Sequence, residues 1–265
     1  MVLPLYLAMT AAETYAAEKL PEHPAWMACH FSSYSTGLSN LPKEIPPDSM
    51  LILNDRIPVW NHDPKQIQDQ LSERIDSLSV NAILLDFQRP NQPQAKKIAE
   101  HLCQTLSCPV GVSELYAAEL NCPVFVSAAP PHLSLQAHLC PWKSREIWLE
   151  AALQACCYRV DAQGCTQTDC SPTHTEFYDD SLHCGYSYHV TETVAEFVLV
   201  RQHPHLLRYL EQAQQMGVTK AIGLYQELAT FITEAPSDHE TSDNNCTNIS
   251  VQSCISSTGM YSNRP

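Results

Sequence analysis

Apolar and polar positions follow two patterns along this chain. Short apolar runs, some with every second residue apolar, are typical of strands buried in a sheet. Between them lie stretches in which apolar residues recur every three or four positions, as on one face of a helix. The runs predict eight strands, at LPLYLAM (3–9), AWMACHF (25–31), MLILND (50–55), AILLDFQ (82–88), PVGVSEL (109–115), PVFVSA (123–128), EIWLEAAL (146–153) and KAIGLYQEL (220–228).

The intervening stretches carry helix signals at their ends. Thr10 and Glu13 have the spacing of a capping box. Asp63 suits a helix N-cap and is followed by proline, which is favoured in the first helical position. Further helices are predicted from Pro93 and from Pro204 through Met216, and Gly217 is placed to end the last one.

This order of elements predicts the fold class. Eight strands alternating with mostly helical connections indicate an α/β protein, a (β/α)8 TIM barrel, within residues 1–233. Polar and β-prone segments at about 154–195 predict a small β-rich insertion after the seventh strand. An open doubly wound sheet is the structural alternative. Residues 234–265 are rich in Ser, Thr and Asn and are predicted to form a disordered tail.

The composition argues against several classes of partner and cofactor. The formal net charge of −14 repels phosphate backbones, so nucleic acid is not an expected partner. Only 7 glycines occur, and no phosphate-binding glycine motif is present, so no cofactor is expected. No apolar stretch is long enough to span a membrane. The N-terminal apolar run lacks a basic flank and is interpreted as a strand followed by a helix rather than a signal peptide.

Twelve cysteines are scattered along the chain without a CxxC pair. The spacing of the cysteines and histidines between 156 and 184 matches no known zinc pattern, so no metal site is predicted. Scattered thiols favour a reducing compartment, and we predict a cytoplasmic protein.

Polar residues cluster where the predicted strands end. In a TIM barrel these positions converge on the mouth that holds the active site. The candidates are His30, Asn54, Asp55, Asp86, Gln88, Glu114, Glu150, Tyr225 and Glu227. Alternation along the fourth strand puts Leu84, Asp86 and Gln88 on one face. The same rule pairs Trp148 with Glu150, and Tyr225 with Glu227.

The segment NAILLDFQRP (81–90) resembles the fourth-strand signature DGxDxDxE of family 18 glycoside hydrolases, the chitinases and their relatives. The matched positions are Asn81 on the first Asp, Ala82 on the Gly, Leu84 on the middle Asp, Asp86 on the last Asp and Gln88 on the catalytic Glu. AIGLYQEL (221–228) is similar to the last strand of that family, where Tyr225 takes the place of an aromatic that floors the sugar site.

The departures from the signature bear on activity. In the family the Glu protonates the glycosidic oxygen, and the last Asp orients the acetamido group of the substrate. Gln88 has no titrating proton, so general-acid catalysis worth about 10²–10⁴ in rate is missing at this position. Leu84 removes the middle carboxylate, and CPVFVSAAPP (122–131) lacks the Met-x-Tyr-Asp motif of strand six. The resemblance therefore favours a barrel that is degenerate at the catalytic Glu.

Three functions remain in competition. The first is a non-hydrolytic barrel that binds a carbohydrate or small polar ligand through His30, Asp55, Asp86, Gln88, Glu114, Glu150 and Tyr225. The second is a glycosidase that uses relocated carboxylates, with Asp86, Glu114, Glu150 and Glu227 as candidates. The third is an interaction or scaffold barrel without a ligand, whose mouth is covered by the long loop 32–49.

Overall fold

The structure is a computed structural model, and it describes residues 3–57, 59, 61–170 and 174–233. The predicted tail 234–265 lies outside the described residues. In chain order the first elements are β1 (Leu5–Met9), α1 (Ala11–Ala16), β2 (Pro24–Phe31), β3 (Leu38–Ser39), β4 (Met50–Asn54), α2 (Pro64–Leu78), β5 (Ala82–Asp86), α3 (Pro93–Thr105), β6 (Val110–Ser113), α4 (Glu114–Ala117) and β7 (Val124–Val126). They are followed by α5 (Leu135–Leu139), a 3₁₀ turn (Cys140–Trp142), β8 (Ile147–Ala151), β9 (Gln154–Asp161), β10 (Gly164–Asp169), β11 (Phe177–Asp179), β12 (Cys184–Val190), β13 (Val194–Arg201), α6 (His203–Gln215), β14 (Val218–Leu224) and α7 (Tyr225–Thr233).

Eight parallel strands form a closed barrel, which confirms the predicted TIM-barrel fold. Their order around the barrel is β1, β14, β8, β7, β6, β5, β4 and β2, and β2 pairs again with β1. The short β3 adds antiparallel to the end of β2. The barrel unit lies within residues 1–128, 139–152 and 213–232, and a second compact unit lies within 129–138 and 153–212.

The barrel interior is filled by side chains from alternating strand positions, as expected for this fold. The interior cluster comprises Tyr6, Ala8, Ala25, Met50, Ile52, Ala82, Leu84, Phe125, Trp148 and Ile222, with Met27 packed against it. Trp148 is fully buried, and its indole occupies the space beside Gly111, where an added Cβ would lie 2.3 Å from the ring. The glycine therefore provides the room that the largest interior side chain needs.

The predicted helix ends are confirmed. Thr10 and Glu13 form a reciprocal capping box at the start of α1. The side chain of Asp63 accepts from the backbone of Lys65 at the start of α2. Gly217 follows α6 with a φ of +91°, a left-handed conformation that glycine adopts without steric penalty.

Two of the predicted strands give way to a helix before their predicted ends. β6 ends at Ser113, and Glu114 is the first residue of α4. β14 ends at Leu224, so the prediction that Tyr225 and Glu227 alternate along a strand was wrong, because both lie in α7. Gly223 allows this early turn: a Cβ there would lie 2.4 Å from Leu228 Cδ1, so its absence lets the helix pack back on the strand end.

The β-rich insertion is a five-stranded antiparallel sheet in the order β10, β9, β13, β12, β11. It confirms the predicted insertion after the seventh barrel strand and runs from Gln154 to Arg201. Its apolar face buries Cys156, Tyr158, Leu182, Cys184, Phe197 and Leu199. Arg201 is also fully buried in this unit, and its guanidinium donates to the carbonyls of Ala129 and Leu182.

Candidate functional site

Three polar residues lie side by side where β2, β4 and β5 end. His30 pairs in register with Asn54, and Asn54 pairs with Asp86. Asn54 and Asp86 continue the alternation of the interior residues Ile52 and Leu84, so their side chains face the barrel mouth. The strand ends thus present an imidazole, an amide and a carboxylate in one row.

A bulge in β2 is what brings His30 into this row. Trp26 pairs with Leu51 and Cys29 pairs with Leu53, so β2 has one residue more than β4 over this interval. Met27 packs on the interior cluster, and simple alternation from it would turn Cys29 inward and His30 outward. The extra residue reverses that phase, and Cys29 is instead fully buried away from the mouth.

Asp86 and Gln88 are joined at the mouth. The side-chain amide of Gln88 donates a hydrogen bond to Oδ1 of Asp86. Burial raises the pKa of Asp86, the Gln88 hydrogen bond lowers it, and the negative charge of Asp55 raises it, with a net shift upward from 3.8. Gln88 itself is exposed. The strand therefore ends in an amide and a carboxylate that are oriented by one another.

The sequence predicted Asp55 at the barrel mouth, but its carboxylate contacts the loop after β5. It is 3% exposed, and its carboxylate accepts from the backbone N–H groups of Gln88 at 3.0 Å and Arg89 at 2.9 Å. The amide of Gln92 donates to the same carboxylate at 3.0 Å. With three donors from one loop, Asp55 holds the chain after β5 in place.

Three further carboxylates gather around Glu150 on β8. Burial raises the pKa of Glu150, a hydrogen bond from the backbone of Ala128 lowers it, and the like charges of Asp86, Glu227 and Glu114 raise it, with a net shift upward from 4.5. Each of these three charges therefore acts on Glu150. We call Asp86, Glu114, Glu150 and Glu227 the acidic cluster.

Two members of the acidic cluster are positioned by hydrogen bonds from the segment that follows β7. Oε2 of Glu150 accepts from the N–H of Ala128 at 3.0 Å. Oε1 of Glu114 accepts from the hydroxyl of Ser127 at 2.6 Å. The segment after β7 therefore orients carboxylates from both β8 and α4, and the first turn of a helix suits the acidic Glu114.

The aromatic candidates differ in their exposure. Trp148 is 0% exposed in the barrel interior, so it offers no face on which a ligand could stack. Tyr225 is half-buried at the first position of α7, directly after the end of β14. Leu224 is 41% exposed and adds an apolar side chain at the same strand end.

The segment after β2 is held by hydrogen bonds to α2 and to the residues just before that helix. The backbone N–H of Leu38 donates to Gln70 at 2.8 Å, and a ring nitrogen of His62 contacts the carbonyl of Ser32 at 3.0 Å. Ser32 also accepts from the N–H groups of Tyr34 and Ser35 in a tight turn. Tyr34 at its tip is 99% exposed.

Two surface depressions of about 530 Å³ and 480 Å³ flank the loop Pro90–Pro93. One is lined by Val59, Arg89 and Gln94, and the other by Lys96, Leu115 and Tyr116. None of the described residues that line them belongs to the acidic cluster. Across the described ranges, no group of three or more His, Cys, Asp or Glu side chains is arranged to hold a metal ion.

Among the described residues, no helix combines the length and the apolar character needed to cross a bilayer.

The architecture is that of an eight-stranded TIM barrel. The structure is similar to the crystal structure of a chitinase from Chromobacterium violaceum, with a TM-score of 0.50, 10% sequence identity, and 88% of this chain and 97% of that chain covered. It is also similar to the spore cortex-lytic enzyme SleL of Bacillus cereus, with a TM-score of 0.46, 8% identity, and 87% of this chain and 74% of that chain covered.

At these identities the likeness to the chitinase establishes the fold and nothing of the activity. No family model matches the chain. No curated protein matches it in sequence either.

Proposed function

We propose that the barrel mouth binds an uncharged carbohydrate and does not hydrolyse it. The observation that carries this proposal is the Gln88–Asp86 pair at the end of β5. By the resemblance to family 18, this is where a hydrolase holds its proton-donating Glu beside the Asp that orients the substrate. An amide can donate and accept hydrogen bonds but cannot deliver a proton to a leaving group.

The chemistry of the mouth favours a neutral sugar. Carboxylates, amides and an imidazole together accept and donate hydrogen bonds, which is what a polyhydroxylated ring requires. The acidic cluster repels anions, so a phosphorylated or uronic sugar is disfavoured. The proposed contacts are His30, Asp86, Gln88, Glu114, Glu150 and Tyr225, and Asn54 joins them because it lies between His30 and Asp86.

Asp55 is left out of this set. Its carboxylate is occupied by three donors of the loop after β5, and it is buried. In the proposal it acts as a positioning residue for Gln88.

Calorimetric titration of the full chain with N-acetylchito-oligosaccharides of three to six units tests this proposal. Matched gluco-oligosaccharides give the contribution of the acetamido group. Asp86→Asn removes one charged hydrogen-bond acceptor at nearly constant size, and we expect affinity to fall about 10- to 100-fold. Asp69→Asn on the outer face of α2, where the side chain is 61% exposed, is the matched control. The absence of saturable binding at millimolar sugar would refute a carbohydrate ligand.

A second candidate function is favoured by Glu150. Burial and three neighbouring carboxylates raise its pKa, as is required of a general acid, and Asp86 is one of those neighbours. A hydrolase with Glu150 as acid and Asp86 as its partner would release reducing ends from the oligosaccharides used above. Loss of that release in Glu150→Gln with binding retained would support it, while intact oligosaccharide after prolonged incubation with wild type would exclude it.

The proposed working environment is the cytoplasm. The cysteines are scattered along the sequence without a CxxC pair, a pattern that favours a reducing compartment in which thiols persist. Fractionation of the source cells with detection of the protein tests this location.

A further inference from the structure

The bulge in β2 interrupts the register of the strand just before the barrel mouth. The pairing of β2 with β4 passes from Trp26 directly to Cys29, so Met27 and Ala28 have no partner residue on β4. A bulge disrupts the ladder locally, and carbonyl groups there need hydrogen-bond donors from elsewhere. Two side chains at the mouth reach the carbonyls of these two residues.

His30 reaches the first of these carbonyls through one ring nitrogen. Its Nδ1 lies 3.0 Å from the carbonyl oxygen of Ala28. Because a carbonyl oxygen can only accept, Nδ1 carries the hydrogen, and Nε2 of the neutral ring is left with a lone pair. Among the described residues, none forms a hydrogen bond with Nε2 of His30. The bulge therefore selects a tautomer whose second nitrogen is a hydrogen-bond acceptor at the end of β2.

Asn54 holds the bulge from the neighbouring strand. Its Oδ1 accepts from the backbone N–H of Arg56 at 3.1 Å, which directs the NH₂ group towards β2. Nδ2 lies 3.5 Å from the carbonyl oxygen of Met27 and 3.5 Å from that of Cys29. These carbonyls precede and follow the carbonyl of Ala28, so one amide spans the bulge. The second lone pair of Oδ1 remains for a ligand.

His62 has the opposite arrangement and provides an internal comparison. Its Nε2, rather than Nδ1, lies 3.0 Å from a carbonyl oxygen, that of Ser32. By the same argument Nε2 carries the hydrogen in this ring. His62 is 5% exposed, and its Nδ1 is buried without a hydrogen-bond partner in the described part of the chain. The lone pair of His62 is thus enclosed in the protein, whereas that of His30 lies where β2 ends.

We propose that Nε2 of His30 accepts a hydrogen bond from one hydroxyl group of the sugar, which makes His30 a determinant of ligand specificity. This inference rests on the proposed sugar binding and adds one group that the ligand must carry. The carboxylate of Asp86, which lies beyond Asn54 in the same row, also accepts hydrogen bonds. This side of the mouth is therefore matched to donors. A sugar without the hydroxyl leaves Nε2 unpaired and is rejected for that reason.

Nuclear magnetic resonance of the ¹⁵N-labelled full chain tests the tautomer without any substitution in the measured protein. Long-range ¹H–¹⁵N spectra at alkaline pH, where imidazoles are neutral, distinguish the protonated nitrogen of each ring from the bare one. We expect Nδ1 to be protonated in His30 and Nε2 in His62, and the spectrum of His30→Asn assigns the signals of His30. Saturation with N-acetylchitotriose should then shift the Nε2 resonance of His30 and leave that of His62 unchanged.

Two substitutions separate the acceptor from the shape of the ring. His30→Asn keeps a donor for the carbonyl of Ala28 but has no atom in the place of Nε2, so affinity for N-acetylchitotriose should fall about ten-fold. His30→Gln can present its side-chain oxygen near that place and should lose less. Asp69→Asn on the outer face of α2 is the control and should bind as wild type does.

Monodeoxy analogues of the same trisaccharide identify the hydroxyl. One analogue should bind wild type about ten-fold more weakly than the parent sugar, and folded His30→Asn should bind that analogue and the parent equally. If His30→Asn does not fold, the wild-type Nε2 resonance decides instead, because the parent sugar should shift it and that analogue should not.

A protonated Nε2 in His30 overturns the proposal, and so does equal affinity of wild type and His30→Asn for the parent sugar. Equal weakening in folded His30→Asn and His30→Gln would assign the ring a structural role and would also overturn it. Failure of the proposed function is distinguishable, because wild type would then bind none of the sugars and the hydroxyl contact would fall with it. Sugar binding with the wrong tautomer refutes this inference alone.

Discussion

The carboxylate of Asp55 accepts a hydrogen bond from the backbone N–H of Gln88 at 3.0 Å, so the first residue after β4 holds the second residue after β5 in place. The amide of Gln88 in turn donates to Asp86. A buried acid with no access to the mouth thereby determines how the exposed amide is presented there.

Asp55→Asn tests this relationship. In one orientation of the new amide, its NH₂ group faces the two donors, Arg89 and Gln92, that one carboxylate oxygen now accepts. In the other orientation the NH₂ group faces the backbone N–H of Gln88. We expect unfolding to become easier by about 1–3 kcal/mol, because a buried donor loses its acceptor. Urea denaturation measures the change, and exposed Asp69→Asn should alter stability by less than about 0.5 kcal/mol. Equal effects of the two changes would contradict the role of Asp55.

Gly111→Ala should destabilise the barrel interior. The new Cβ would lie 2.3 Å from the Trp148 ring, closer than any real contact allows, and overpacking of this kind costs about 1–3 kcal/mol. Trp148→Phe makes room, so the double variant should be more stable than the sum of the two single changes predicts. Strict additivity in thermal denaturation would show that the two side chains do not compete for the same space.

The acidic cluster predicts a pH dependence of stability. The folded-state pKa of Glu150 is raised from 4.5, so the folded protein binds more protons than the unfolded chain above that pH. The contribution of Glu150 to stability is therefore fully present below about pH 4.5 and is lost as the pH rises through the folded pKa.

Glu150→Gln removes this titration while keeping an oxygen to accept from Ala128. We expect the melting temperature of the variant, relative to wild type, to increase from pH 4 to pH 7. A difference that is flat with pH, or that falls, would contradict the raised pKa.

Gln88→Glu introduces the glutamate that the family 18 signature has at this position. We expect that this variant does not hydrolyse chitin. Leu84 still stands in the place of the middle carboxylate, and it is buried in the interior cluster. The new charge also faces Asp86, so binding of chito-oligosaccharide should weaken. Gln88→Ala, which removes the amide without adding charge, separates these two effects in the same titration. Reducing-end release by Gln88→Glu would mean that the remaining groups suffice for catalysis.

Arg201→Lys should destabilise the second unit more than its conservative chemistry suggests. The guanidinium serves carbonyls of Ala129 and Leu182 and the side chain of Gln154, and a single ammonium cannot reach all of them. We expect a loss of about 2–4 kcal/mol, read from hydrogen exchange in β9 and β13. The control is Arg159→Lys, whose side chain is 57% exposed and pairs with Glu196. If both variants exchange alike, the contacts of Arg201 carry little energy.

Much of the fold could be predicted because buried strands and helix caps leave local signals. The capping box at Thr10 and the apolar runs of all eight barrel strands are examples. Which side chains face the mouth depends on non-local geometry. Alternation from Met50 and Ile52 selects Asn54 over Asp55, a signal that was present in the sequence. The early turn at Leu224 depends on Gly223 making room for Leu228, a contact that no local pattern encodes.

The extra residue in β2 exchanges the inward and outward faces of the strand for every residue that follows it. If β2 is aligned residue by residue with a regular strand up to Met27, every later residue is assigned to the wrong face. A one-residue gap at the bulge corrects the alignment. Deleting Ala28 should restore regular pairing, with Met27 opposite Ile52, and should leave Cys29 opposite Leu53 and His30 opposite Asn54, so that the imidazole stays at the mouth. In comparisons of this strand with those of other barrels, a histidine at the mouth should be sought one position later than ungapped counting indicates.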